Sequence, residues 1–477
     1  MLAIDRSDSS YLYAQVVDLI DDQMRAGTLR AGDRLPSLRR MSDKLEVSIP
    51  TVRQAYLELE RLGRIEARPK SGYYIRPKRQ SRLVKVGCKT CKPVEVQCRK
   101  LIDRVYDGVH KPGVLPLGIA NPCMAQPATK TLHRAMKRVM SRAEDRSLGY
   151  APTEGEPGLK RQIAYRYLNQ GGSVDPNEVI ITNGGQEALA IALGAVARRG
   201  DVIAIESPAY PGVLELIESL GMLALEVETC PLGGVSLEAL EKALDRHEVQ
   251  ACIFSSSVYN PLGCVTGDDH REALVALIES RNIPLIEDDV YGELVYEGPR
   301  PRPAQFFSRK DLVLTCASFS KTAAPGYRVG WLVPGKFHEQ AAKLKRALSC
   351  SSGLLTQLTL TEHLASGDYD RHLKRLVPVL KQNATRMTAA VERCFPSNTG
   401  VSAPRGGSVL WIELDRKIHS EKLFDAAIEH GISIMPGDVF TAGSRYRNFI
   451  RLSYGHPWSQ AIEEGIETLG ALVHAEM

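Results

Sequence analysis

The sequence predicts an α/β protein in two unequal parts. One is a small N-terminal domain of three short helices and a hairpin. The other is a large domain on a mainly parallel sheet, with a smaller α+β subdomain. Three observations lead there. Residues 10–76 hold three helix-length apolar stripes, then two strand-like runs about a Ser-Gly turn. From residue 178 onward, β-rich runs alternate with amphipathic segments of helix length, the rhythm of βα units. The chain is 477 residues long, more than one compact core holds, and length alone bounds it at about two to four domains.

The first helix is expected over 10–26, with Tyr13, Val16, Val17, Ile20 and Met24 on one face and Gly27 as its stop. "PSLRRMSDKL" supplies a second helix with Ser37 as N-cap. "SIPTVRQAYLELERLG" supplies a third, capped by Ser48, with Pro50 in its first turn and Gly63 at its close. Its apolar face is Val52, Ala55, Tyr56, Leu59 and Leu62, which leaves Thr51, Arg53 and Gln54 toward solvent. "RIEARPKSGYYIRP" reads as a strand, a turn at Lys70-Ser71-Gly72 and a returning strand. Three helices and a hairpin make a winged helix-turn-helix, whose third helix meets base edges with its N-terminal end. Charge agrees with that reading. Residues 34–100 carry 18 Lys+Arg against 6 Asp+Glu, an excess of 12, while the whole chain is at +5 and the remainder therefore at −7. A basic front on an acidic body points to a polyanion partner.

Residues 77–115, rich in Lys, Arg, Pro and Gly, read as a linker. Within it Cys88, Cys91 and Cys98 form a CxxC and a third thiol. A zinc site would have to take its fourth ligand from Cys123 or His110; with no second CxxC the expected reading is exposed linker thiols and no metal. Strands are expected at 178–182, 201–206, 251–256, 284–288, 312–316 and 329–333. From about 340 the pattern turns to longer helices, then "SVLWIEL" and "NFIRLSY". The longest apolar run, "ALAIALGAVA" at 188–197, is bounded by Glu187 and Arg198, short of the roughly 18 residues that span a bilayer. "MLAIDRSD" at the start shows no apolar export segment, so a cytoplasmic location is expected.

Ligands of such sheets bind at the carboxyl ends of the strands, and the chemically loaded residues cluster there. "IITNGGQEAL" is strand, glycine turn, helix: Gly184 and Gly185 allow close backbone approach, and the helix start favours a phosphate. "SFSKTAAPGYRVGW" adds Ser318, Ser320 and Arg328 for the same phosphate, with Lys321 poised to form an imine with a carbonyl of that ligand. "EDDVYGEL" offers Asp288 to a protonated pyridine nitrogen and Tyr291 to a ring oxygen, which Asn260 of "VYNPLG" also reaches. Tyr210 of "SPAYPG" can stack on the ring. Arg451 of "FIRLSYG" carries a fork suited to a carboxylate.

Residues 10–76 resemble the GntR family of bacterial transcription regulators. That likeness implies DNA-contacting positions at Arg39, Ser48, Thr51, Arg53 and Gly72. Ile49 and Pro50 depart from it, standing where polar or basic residues are frequent. Residues 115–470 resemble aminotransferase-class enzymes of the PLP-dependent transferase fold (fold type I), with pyridoxal 5'-phosphate as cofactor. The likeness implies that Lys321 carries the cofactor and that Asp288 pairs with its ring nitrogen. It gives Asn260 and Tyr291 the ring oxygen and Tyr210 the ring face. Gly185, Gln186, Ser318, Ser320 and Arg328 would cradle the phosphate, and Tyr150 would reach the phosphate of a partner subunit. Gly118 and Arg451 would meet the substrate. The two halves together resemble the MocR subfamily. The expected organisation is a DNA-binding domain at 1–77, a basic linker at 78–115 and an aminotransferase-like domain at 116–475. The resemblance implies a head-to-tail homodimer on operator DNA, which senses an amino compound by external aldimine formation at Lys321-bound cofactor. A working aminotransferase, moving an amino group between an amino acid and a 2-oxo acid, is the alternative, and the sequence leaves enzymatic activity open.

Overall fold

A computed structural model describes residues 11–30, 32–68, 71–76, 82–85, 92–97, 100–109, 111–120, 128–143 and 147–477. Helices α1 (Leu12–Arg25), α2 (Leu38–Leu45) and α3 (Ile49–Arg61) precede a hairpin of β1 (Ile65–Arg68) and β2 (Gly72–Ile75). The expected caps hold: Ser37 Oγ accepts from Arg40 N and Ser48 Oγ from Thr51 N. Each satisfies a backbone donor that a helix start otherwise leaves orphaned. The apolar stripes of α1 and α3 close on each other through Val16, Ile20, Val52, Tyr56 and Leu59, all fully buried. The hairpin pairs Ile65 with Ile75 and Arg68 with Gly72.

The large sheet runs in the order Val94–Glu95, Leu223–Cys230, Val202–Ser207, Val249–Phe254, Leu285–Asp288, Val313–Ser318, Gly330–Val333, Ile180–Thr182. The central strands are parallel, and Gly330–Val333 runs against both its neighbours. The strand 223–230 was not expected, because Glu226 and Glu228 interrupt its apolar run. Glu226 is nevertheless buried. Its carboxylate accepts from Ser207 Oγ at 2.9 Å and from Ala442 N at 2.7 Å, so satisfied hydrogen bonds replace the water it lost.

The segment that reads as a linker is, where described, folded onto the body. Strand β3 (Arg82–Leu83) adds in parallel to Gly400–Val401 of the smaller subdomain's sheet. Strand β4 (Val94–Glu95) adds to the edge strand of the large sheet. Helix α4 (Leu101–Val109) follows, with Leu101, Ile102 and Val105 buried. Its basic, Pro-containing flanks obscure that one apolar turn. The smaller subdomain centres on Trp411, fully buried and ringed by Phe440, Tyr446 and Phe449 at centroid distances of 4.9, 5.8 and 5.4 Å. That aromatic core fixes the strand Phe449–Ser453, which carries Arg451.

The C-terminal half of α3 docks on this subdomain. Glu58, itself buried, accepts from Arg386 Nε at 2.7 Å. Arg61 pairs with Glu463, and its guanidinium lies 5.5 Å over the Trp458 ring. Arg393 donates to the Arg61 carbonyl at 3.3 Å.

Candidate functional site

An open cavity sits at the carboxyl ends of the parallel strands. Of the residues expected there from sequence, Gly185, Gln186, Tyr210, Asn260, Asp288, Tyr291, Ser318, Ser320, Lys321, Arg328 and Arg451 all line it. Separate strand ends deliver them, which is why residues up to 266 positions apart in the chain meet. Gly118 does not line the cavity; it is buried behind Arg451, and its carbonyl accepts from Arg451 Nη2 at 2.8 Å. Tyr150 does not line the cavity of its own chain and is 89% exposed. Residues Tyr106, Ile119, Ala120, Leu189, Val290 and Met435 also line the cavity and were not foreseen. Most are ordinary apolar residues, and Tyr106 lies in the segment read as a linker, where only the spacing of Leu101, Ile102 and Val105 could have revealed the helix that carries it.

Lys321 follows the strand Val313–Ser318, and its Nζ donates to the Ala120 carbonyl at 2.7 Å. Burial, with Arg451 and then Arg328 adding positive field, pushes its amine down to about 8 against the pull of Asp288. Asp288 ends its strand, and burial raises its carboxyl to about 6, opposed by the Val290 N–H that donates to it at 3.2 Å. Tyr291 Oη is buried without a hydrogen-bond partner, with Ser408 beside it but beyond hydrogen-bond geometry.

On the opposite wall the helix Gly185–Val196 starts without a side-chain cap, leaving its first N–H groups free for an anion. Gly184 precedes it at φ +84°, and a Cβ there would fall 2.5 Å from Arg328 Nη2, so only glycine leaves the cradle open. Arg328 is anchored by donating to the Asn183 carbonyl at 3.0 Å. The Ser318 and Ser320 hydroxyls touch at 2.8 Å. The Gln186 side chain donates to the Gly212 carbonyl at 2.7 Å, so what it presents to the cavity is chiefly its backbone N–H.

Arg451 is the least expected feature energetically. It is buried, donates to Asn260 Oδ1 at 3.2 Å and to Gly118 O, and leaves Nε without a partner. Arg271, the other buried arginine among the described residues, pairs with Asp268, and the partly buried Arg300 pairs with Asp289. Among the described residues no carboxylate pairs with Arg451, and burial pushes its guanidinium below the usual arginine range. A buried cation without a counter-ion is costly, so an anion that entered the cavity would find a favourable partner in Arg451.

At the other end of the molecule, Arg39 and Arg53 are exposed on α2 and α3, and Gly72 is exposed on the hairpin at φ +107°. Ser48 and Thr51 share a hydroxyl contact of 2.7 Å at the start of α3, so both are partly committed to capping. Ile49 is 45% exposed beside them. Lys70, Cys88, Cys91, Cys98, His110 and Cys123 lie outside the described residues. Among the described residues no group of His, Cys, Asp and Glu is arranged to hold a metal ion, and no helix is long and apolar enough to cross a membrane.

A winged reader followed by an α/β body with this lysine and phosphate cradle defines a class. The family of bacterial regulatory proteins, gntR family, matches residues 12–75. Aminotransferase class I and II matches residues 112–469. The chain belongs to the aminotransferase class I and II family, fused to a GntR-family domain in the arrangement of the MocR subfamily of regulators. It is 33% identical to the uncharacterized HTH-type transcriptional regulator YjiR and 34% identical to its counterpart YdcR, both of Escherichia coli (strain K12). Each match spans 98% of this chain and 99% of the relative. Among solved structures it is similar to LysN, the alpha-aminoadipate aminotransferase of Thermus thermophilus, complexed with N-(5'-phosphopyridoxyl)-L-leucine. That likeness has a TM-score of 0.73 at 28% identity, over 80% of this chain and 96% of LysN.

Pyridoxal 5'-phosphate is the cofactor of this class, and the residues present fit it. The glycine cradle beside Arg328, the orphaned Tyr291 hydroxyl and the depressed Lys321 amine each match one part of that molecule. The lysine yields a signed prediction. Its nucleophilic neutral form dominates above about 8. Covalent loading of cofactor-free protein is therefore expected to accelerate as pH rises through that value and then level off. Stopped-flow absorbance would measure this, and a rate flat across the same range would contradict the assignment.

Proposed function

We propose that this chain is a PLP-dependent transcription regulator that binds operator DNA through its winged helix and answers to an amino compound at Lys321. The carrying observation is the pairing of two features on one subdomain. Arg451 waits there for an anion, and the recognition helix is docked there by Glu58–Arg386 and Arg61–Glu463. When bound, pyridoxal 5'-phosphate supplies a carbonyl for primary amines and a ring that withdraws electrons.

The chain's own residues supply the rest. Lys321 would hold the cofactor through its amine, at the carbonyl that an incoming primary amine would also reach. Asp288 would face the ring nitrogen and favour its protonated form. Asn260 has its Oδ1 engaged by Arg451, which leaves its N–H₂ for the ring oxygen beside Tyr291. Tyr210 stacks on the ring. The N–H groups of Gly185 and Gln186, with Ser318, Ser320 and Arg328, hold the phosphate. Arg451, beside Gly118, takes the effector carboxylate and so draws the small subdomain toward the large one. The docked α3 moves with it, and Arg39, Ser48, Thr51, Arg53 and Gly72 are re-aimed on the DNA. An effector acts this way only if it binds one arrangement better than the other.

A homodimer completes the picture. Leu148 and Tyr150 are 86% and 89% exposed, and Tyr165 and Leu168 are each 60% exposed. A partner subunit packed over Leu148 and Tyr150 would cover them, with Tyr150 reaching the partner's phosphate. In the single chain, α3 docks on its own small subdomain, a contact that a head-to-tail dimer must keep or exchange.

The test uses duplexes selected in vitro by the purified protein. Removal of residues 1–77 is expected to abolish DNA binding and leave the cofactor bound, because β3, β4 and α4 remain with the body. DNA binding retained by that fragment would refute the reader assignment. An aminotransferase is the second reading, supported by Lys321, Asp288 and Arg451 lining one cavity. Sustained product formation from an amino acid and a 2-oxo acid would favour it.

A further inference from the structure

The site also constrains what it senses, an inference that rests on the sensing role above. Three cations line the cavity among the described residues: Lys321, Arg328 and Arg451. Lys321 is committed to the amine. Arg328 is committed to the phosphate wall by its bond to Asn183 and its place against Gly184. That leaves Arg451 for one carboxylate. Among the described residues, Asp288 is the one carboxylate that lines the cavity.

The remaining wall near Arg451 is uncharged: Tyr106, Ile119, Ala120 and Met435. Tyr106 comes from α4, the helix between the reader and the sheet domain. The helix is fixed by three contacts: Arg104 donates to Glu421 at 3.0 Å and pairs with Asp425, and Gly108 packs so closely on Ile428 that a Cβ would fall 2.9 Å away. Its placement therefore does not depend on a ligand. Tyr106 lines the same cavity as Arg451 and Tyr210, and the electrostatic influence of Arg451 on Tyr106 and of Tyr106 on Tyr210 agrees with that proximity. Among the described residues of the chain, none that lines this wall offers a counter-ion to a second carboxylate or an ammonium placed against it.

We propose that the effector is an amino acid with one carboxylate and an uncharged, apolar or aromatic side chain, and that Tyr106 is a specificity-determining residue contacting that side chain. Ligand contact on α4 would touch the very segment that leads to the reader.

The experiment is an absorbance titration of the full-length, cofactor-loaded protein with L-leucine, L-methionine, L-phenylalanine, L-glutamate, L-lysine and putrescine. At least one of the three uncharged amino acids is expected to shift the visible band at a concentration roughly tenfold or more below the charged compounds, the scale of one lost pocket contact. Tyr106→Phe should keep that preference and Tyr106→Ala should weaken it about tenfold. Tyr106→Arg, which adds the missing second cation, should move the preference toward L-glutamate. Glutamate or lysine acting on the wild type as well as the uncharged set would overturn the class. An unaltered preference in Tyr106→Ala and Tyr106→Arg would overturn the role of Tyr106. A normal visible band that no compound shifts would overturn the sensing role itself, and this inference with it.

Discussion

Replacing Lys321 with alanine is expected to end covalent retention of the cofactor and, with it, every effect of amino compounds on DNA binding. Chemical inventory is the reason. Among the described residues Lys321 is the one lysine lining the cavity, and an arginine guanidinium stays protonated and cannot replace it. Burial and two neighbouring guanidiniums hold its amine near 8, where a useful fraction is nucleophilic at neutral pH. No structural role competes with that assignment. Its hydrogen bond goes to the Ala120 carbonyl, and the reader's core is a separate cluster of residues. Borohydride reduction followed by intact-mass measurement should find the cofactor fixed to the wild type and absent from Lys321→Ala. Anisotropy curves of the variant on DNA should superimpose with and without L-leucine. A labelled Lys321→Ala protein would mean that another lysine carries the cofactor.

Charge reversal at the joint between reader and body should break communication without touching either end. Glu58 is buried and its partner Arg386 nearly so, with side-chain exposures of 9% and 14%. Removing one member of a buried pair costs roughly 3–5 kcal/mol. Residual contact with water at both groups brings the expectation to about 2–3 kcal/mol here. Arg386→Glu sets two carboxylates against each other. The reader should then part from the small subdomain, while the exposed N-terminal end of α3 keeps its DNA affinity within a few-fold. The absorbance response to amino acids should persist and the DNA response should vanish. The double variant Glu58→Arg with Arg386→Glu should restore it. Full DNA response in Arg386→Glu alone would show that the signal travels by another route, of which the strap formed by β3 and β4 is the obvious one.

Legibility followed the range of the interactions. The caps Ser37 and Ser48 and the stripe of α3 were readable because they depend on neighbours within four residues. The cavity residues were readable because each sits in a short motif at a strand end, and parallel sheets gather such ends on one edge. Glu226 and its strand were not readable, since a charge in an apolar run predicts a loop unless distant groups satisfy it. Ser207, Thr441 and Ala442, which do so, are remote in sequence.

Residue type and local spacing were therefore enough for the two domains, for the chemistry of Lys321, Asp288 and Arg328, and for the basic reading face. Packing of the whole chain set the rest. It left Arg451 buried without an anion, folded residues 82–109 as a strap across both subdomains where they are described, turned Tyr106 into the cavity, and bolted Glu58 and Arg61 to Arg386 and Glu463. Each of those depends on which groups meet across hundreds of residues and on how much water is excluded when they do. Burial and pairing of that kind belong to the packed chain, and no local pattern encodes them.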